Sequence, residues 1–291
     1  MRLRSIIILL FVILGLAFVV LFWALQKPLF WEYAIGQALK NNPSIKIKEL
    51  HIGGVKADWD RVLLSEVSGS FNANGQDIDI KRLEAHIFIW QKQARVWART
   101  LIVDKYEFSD IIFPVNEDHG TWIIRNWQAI LANGFLNGNM RIEPTMQVQA
   151  VVNVKGLDTK VLAAVNPDVF GQLKAVVDGH LTMGADARGL VSINGRFDAV
   201  NGGKMSPQLL GYLAQYLPQK DVLNDLIAKN ADIPLNEGYV TILSLSVEQI
   251  RMHVKILSKA VNLDLNLDMD INLDGGLSAA AQALNHVLKG N

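Results

Sequence analysis

The chain has no cysteine among its 291 residues. Disulfides and thiolate metal sites are therefore excluded, and with them a disulfide-stapled secreted module. It also has no net charge, because 28 Lys and Arg balance 28 Asp and Glu. No strong field of one sign is present to recruit nucleic acid or anionic lipid. Low-complexity tracts and polar linkers are missing, and 50% of the residues are hydrophobic, too many for a disordered chain. Catalytic signatures are missing as well: there is no G-x-S-x-G elbow, no P-loop and no H-E-x-x-H. His51, His86, His119, His180, His253 and His286 are scattered without zinc-ligand spacing. No catalytic residue, metal site or cofactor is expected, and the chain is read as a non-enzyme.

What is present begins with an apolar run. Ser5 to Leu25 reads SIIILLFVILGLAFVVLFWAL, with no charge and one hydroxyl. At ~1.5 Å per residue it gives roughly 31 Å of helix, enough to cross a bilayer core. Arg2 and Arg4 precede it, and Trp23, Phe30, Trp31 and Tyr33 cluster at its far end. The positive flank predicts a cytoplasmic N-terminus, and the aromatic cluster suits the opposite headgroup layer. A cleaved signal peptide is the rival, but the run ends FWALQKPLFW with no A-x-A pattern. The expected organisation is a cytoplasmic tail at 1–4, a signal anchor at 5–25, a juxtamembrane helix within 26–44, and a β-rich exported domain over 45–291. A sub-boundary is expected near 135–145.

The rest reads mainly as strands. Ile45, Ile47, Leu50 and Ile52 alternate with one slip, and so do Ile78, Ile80, Leu83, Ala85, Ile87 and Ile89 near Lys81–Arg82. Such slips are the mark of β-bulges. Short strands are expected at Val62–Leu64 and Val67–Phe71, with a turn at Asn74-Gly75, and one or two more within Arg95–Phe108. Thr121–Leu131 has Trp122, Ile123, Trp127, Ile130 and Leu131 at helical spacing, which predicts a short amphipathic helix. Strict alternation returns from Met146 to Val154. Asn166-Pro167 opens a segment read as helical to Val176. Strands follow at Val177–Met183, Leu190–Asn194 and Gly195–Val200, with Asn201-Gly202-Gly203 as a turn rather than a phosphate cradle.

Ser206-Pro207 predicts a helix start, with serine as cap and proline in the first turn. Helices are expected near 206–229 and at 277–288, as caps on the sheet. Val240–Val247 and Ile250–Leu257 read as a hairpin. From Val261 to Asp274 the sequence VNLDLNLDMDINLD alternates without a break. Val261, Leu263, Leu265, Leu267, Met269, Ile271 and Leu273 share one face, and only Asp and Asn occupy the other. Ile250, Met252, Val254 and Ile256 form the matching row of the preceding strand. Such a ribbon separates water from an apolar interior, either in a dry sandwich or along a sheet whose aliphatic face holds acyl chains.

Two further clusters carry both a bland and a functional reading. Asp270, Asn272, Asp274 and Gly275 resemble the front of an EF-hand loop, but Ala281 stands where the bidentate glutamate belongs. Trp90 and Trp97 in IWQKQARVWAR, with Lys92, Arg95 and Arg99, read as sheet-packing aromatics or as a headgroup-contacting patch. Asp58 and Asp60 around Trp59 read as strand-end charges or as paired carboxylates.

The apolar run followed by KIKELHIGGVKADW and LLSEVSGSF resembles the start of AsmA-like proteins. GRFDAVNGGKMSPQLLGYL, followed by IPLNEGYVTILSLSVEQIRMHVKILSKAVNLDLNLDMDINLDGG, is similar to the C-terminal region of AsmA-like and YdbH-like proteins. The resemblance covers residues 1–110 and 176–291 and rests on strand rhythm. It implies an inner-membrane-anchored, periplasmic protein. It also implies a long antiparallel twisted sheet forming a groove or half-barrel, with short capping helices, that carries phospholipid acyl chains. The family has no catalytic residues to carry over. About 12–14 strands at ~4.8 Å give a sheet roughly 60 Å long, too short to bridge an envelope alone. The chain is therefore read as a small member that shuttles, accepts or scaffolds, or as one that needs an envelope protein partner to complete the path, and nucleic acid is not expected. The rival reading is a scaffold of the cell envelope with a dry β core.

Overall fold

A computed structural model describes residues 25–40, 45–73, 75–145, 147–186, 189–214, 224, 227–228, 231–277 and 279–280. The expected span at 5–25 lies outside them except for Leu25, and so does most of 215–230 and of the tail helix. Among the described residues no helix is long and apolar enough to cross a membrane. The described chain is mainly β, with fourteen antiparallel strands in one sheet and a few short helices. It packs as two units that divide within one strand. One holds the described residues up to Asp104 plus Asp110–Asn116, and the other holds Lys105–Ser109 and everything from Glu117 on. Residues 135–145 fall inside the second.

In the first unit, helix α1 (Pro28–Lys40) precedes β1 (Ile45–Ala57), β2 (Arg61–Ala73), β3 (Gln76–Phe88) and β4 (Gln93–Val103). These four pair as successive hairpins. The register sets Ile52, Val67 and Leu83 side by side, and likewise Val55, Leu64, Ala85 and Val96. One face is thereby aliphatic, and α1 packs Trp31 and Ile35 onto it. β1 ends the strand order, so its outer backbone groups lack a strand partner. Glu32 accepts the Ile52 N–H at 2.7 Å and the Gln26 side chain accepts the Ala57 N–H at 3.1 Å. The helix segment thus protects an edge that would otherwise invite pairing.

β5 (Tyr106–Asp118) divides between the units. The second unit continues with β6 (Thr121–Leu131), β7 (Gly134–Ile142), β8 (Val148–Asp158), α2 (Thr159–Val165), α3 (Pro167–Phe170), β9 (Leu173–Asp186) and β10 (Gly189–Met205). It ends with α4 (Pro207–Ala214), β11 (Ile233–Leu235), β12 (Glu237–Ser244), β13 (Gln249–Ser258), a 3-10 turn (Lys259–Val261) and β14 (Leu263–Asn272). Hydrogen bonding follows chain order from β6 to β10, then β12 to β14, with β11 on the end of β10. Ser206 caps α4, accepting the Leu209 N–H at 3.1 Å, and Leu210 is fully buried.

Several expectations are corrected. Thr121–Leu131 is β6, not a helix. Asn126 sits at φ 55° where the register slips between Ile124 and Trp127, so a bulge puts an odd step into a period of two and mimics helical spacing. Val62–Leu64 and Val67–Phe71 are one strand, β2, bulged at Glu66 (φ 53°). Asn201-Gly202-Gly203 is no turn but a bulge inside the 17-residue β10. A side chain at Gly202 would meet the Leu235 carbonyl oxygen, so β11 lies against that bulge. The helical segment near Asn166-Pro167 starts earlier than expected, at Thr159, and ends at Phe170, before β9. The terminal ribbon is 10 residues, not fourteen. Val261 lies in the 3-10 turn, Asn262 is left-handed, and Leu273 follows the strand. The slips near Glu49 and Arg82 are bulges, as expected.

Candidate functional site

The register of the second unit builds a single chemical surface. Trp127 faces Gly138, and Ile124 faces Met140, across β6 and β7. Met140 pairs with Ala150 and Gly138 with Val152. Ala150 pairs with Met183, Val152 with Leu181, and Val154 with Gly179. Met183 then meets Ile193, Leu181 meets Gly195, and Gly179 meets Phe197. Phe197 pairs with Val240 and Gly195 with Ile242. Ile242 and Val240 continue to Met252 and Val254, and these to Met269 and Leu267. Because side chains alternate sides, all of these share one face across eight strands. No charged residue stands on it. Ser258 and Ser244 add hydroxyls at its margins, bonded to the Pro234 carbonyl and to Asn194.

The face is sealed at one end, and Ile124, Trp127, Leu136, Ala150 and Val154 are buried on it at the other. Under α4 and β11, Met205, Leu210, Ile233 and Leu235 pack with Val254, Ile256, Leu263, Leu265 and Leu267 into a dry cluster. Beside it lies a cavity of about 240 Å³, lined by Leu173, Val177, Phe197, Ala199, Met205, Leu209, Leu235, Val240, Met252, Val254, Ile256 and Met269. A second hollow of about 710 Å³ crosses β6 to β10 on the opposite, polar face, lined by Asn139, Gln149, Val151, Thr182 and Ser192, whose side chains alternate with the uncharged row Met140, Ala150 and Met183. Its lining also includes Arg125, Arg141 and Asp186. That volume is in the range that takes a small organic ligand. Between these ends, Val152, Leu181, Met183, Ile193, Phe197 and Ile242 are half-buried.

The expected lining residues therefore divide. Met252, Val254, Ile256 and Met269 border the smaller cavity. Leu263, Leu265 and Leu267 are sealed in the cluster, and Val261 packs against it from the turn. Ile250 and Ile271 pair with each other, half-buried, and Leu273 follows them. Sequence reasoning missed the uncharged face from β6 to β10. Its signal was glycine opposite an aromatic ring. Gly138 lies beneath Trp127, with 3.0 Å from its ideal Cβ position to the indole nitrogen, and Gly179 lies against Phe197.

The opposite face is a polar ladder. Arg251 and Asp270 form a two-pronged ion pair at 2.7 and 2.8 Å. Hydrogen bonding to Arg251 holds the Asp270 carboxyl below its usual range, and the same bond raises the Arg251 guanidinium. His253 contacts Asp268 through Nδ1 at 2.8 Å and the Tyr239 hydroxyl through Nε2 at 3.0 Å. Arg196 lies 4.0 Å over the Tyr239 ring and also pairs with Asp198. These are cross-strand contacts of the solvent side, with no residue in the larger hollow. The EF-hand-like start is strand through Asn272, and Asp270 is engaged by Arg251. Trp97 packs edge-on against His86, whereas Trp90 stands exposed at a hairpin tip, so the two do not form one patch.

No protein-family model, curated protein or solved structure matches this chain.

Proposed function

We propose that the protein binds lipid acyl chains along the uncharged face of the second unit, as a membrane-anchored lipid carrier of the bacterial envelope. The observation that carries this is the cavity of about 240 Å³ on that face, beside the sealed cluster and bordered by Leu, Val, Ile, Met and Phe side chains. An occupant must bring no hydrogen-bonding demand into its floor. The sheet's own N–H and C=O groups are paired, and the two marginal serines are already bonded. A peptide would bury backbone groups there without partners, at ~1–3 kcal/mol each. A hydrocarbon tail has none to satisfy. In this reading the sheet forms a groove, with α4 and β11 as its stop. Residues 5–25 hold the chain at the inner membrane, N-terminus inside and bulk periplasmic. The strand rhythm shared with AsmA-like proteins supports the same picture.

The full chain is purified in detergent, the detergent is exchanged away, and bound lipid is measured by mass spectrometry. Copurifying phospholipid is expected in the wild type. Met252→Glu with Met269→Glu, both half-buried on the border of that cavity, is expected to abolish it while the melting profile persists. Leu265→Asp instead strikes the sealed cluster and is expected to unfold the second unit. Absence of lipid from the wild type favours a dry envelope scaffold.

A further inference from the structure

Among the described residues of the first unit, the large hydrophobic side chains that stand most exposed are Leu29, Tyr33, Trp59, Ile89 and Trp90. Trp59 and Trp90 are 76% and 70% exposed, far beyond what sheet packing leaves uncovered. They occupy the tips of two hairpins, β1–β2 and β3–β4, and the tips are joined. The Trp90 indole donates to the Trp59 carbonyl at 3.1 Å, and the Ile89 N–H donates to the Asp60 carbonyl at 2.9 Å. The start of α1 meets the same end of the sheet. Gln26 bonds to Ala57, two residues before Trp59, and the Trp31 indole donates to the Leu25 carbonyl at 2.9 Å. Leu25 is the last residue of the 21-residue apolar run.

We infer that these hairpin tips dock in the headgroup layer of the same bilayer that residues 5–25 cross, with Trp59 and Trp90 as interfacial anchors. The inference rests on reading 5–25 as a span. The chain leaves that span directly beside the tips, so little chain separates them from the bilayer surface. Indole rings with an apolar body and one polar N–H favour that layer over bulk water. Clustered exposed apolar groups also mark contact surfaces. Charge points to a zwitterionic surface. Asp58 and Asp60 balance Arg61 and Lys92, and Arg61 is already paired with Asp58 at 2.9 Å. Docking is therefore aromatic and independent of anionic lipid.

The chain has no native cysteine, so one label site can be introduced at a time. The full chain carrying a fluorophore on Gln91→Cys at the tip, or on Lys46→Cys, is reconstituted in phosphatidylcholine vesicles containing brominated lipid. Lys46 lies ~36 Å from Ala57 along β1. Quenching is expected at 91 and not at 46, unchanged by high salt or by added phosphatidylglycerol. Trp59→Ser with Trp90→Ser is expected to bring the 91 probe down to the level of the 46 probe while the chain stays on the vesicles. An unquenched 91 probe on retained protein overturns the docking and leaves the anchor standing. Loss of the chain from vesicles on alkaline washing overturns the anchor and the docking together. Quenching that vanishes in salt overturns the aromatic basis.

Discussion

Gly138 shows how single residues shape the uncharged face. Its position faces the Val151 carbonyl oxygen, 1.9 Å from where a Cβ would stand, with the Trp127 indole beyond. Any side chain there forces β7 and β8 apart. Gly138→Ala is expected to lower stability by ~1–3 kcal/mol, read as a drop in melting temperature. The polar side gives a different test. Asp270 is held below its usual range by hydrogen bonding to Arg251, so the pair's contribution exists above the ordinary carboxylate range. It is lost as pH falls through the lowered value. Arg251→Ala is expected to return the Asp270 carboxyl to the ordinary range in an NMR titration. Both groups are exposed, so the change in stability is small.

At the scale of elements, bulges decided what could be read. Where alternation was unbroken, as over Val148–Val154 or in β14, strand and face were legible from the pattern alone. Where one left-handed residue entered a strand, the same pattern read as a helix (Asn126), as two strands (Glu66) or as a turn (Asn201-Gly202). The slip near Arg82 was legible because aliphatic residues flank it on both sides. Ser206 was legible as a cap because capping is local chemistry, whereas the seal that α4 makes over Leu265 needs contacts distant in sequence. α1 offers the prediction at this scale. Glu32→Ala removes the acceptor of the Ile52 N–H at the outer edge of β1. It is expected to cost ~1–3 kcal/mol and to raise self-association in sedimentation velocity, as bare strand edges pair with one another.

At the scale of the whole molecule, the sequence displayed an apolar surface, and the fold divides it between a covered cluster and a small cavity. The cleanest alternation, Leu263 to Leu267, is the part most fully covered. The rest of the uncharged face draws glycine, alanine and methionine from bulged strands, and its continuity emerges only when register aligns it. One further consequence lies in the order of the strands. β11 aside, each strand bonds to its predecessor and successor in the chain. Most contacts therefore close over short loops, which favours rapid assembly. A growing polypeptide would find each new ribbon's neighbour already laid down, and hairpins gained or lost in evolution would change the reach of the sheet while leaving the pairing of those retained untouched.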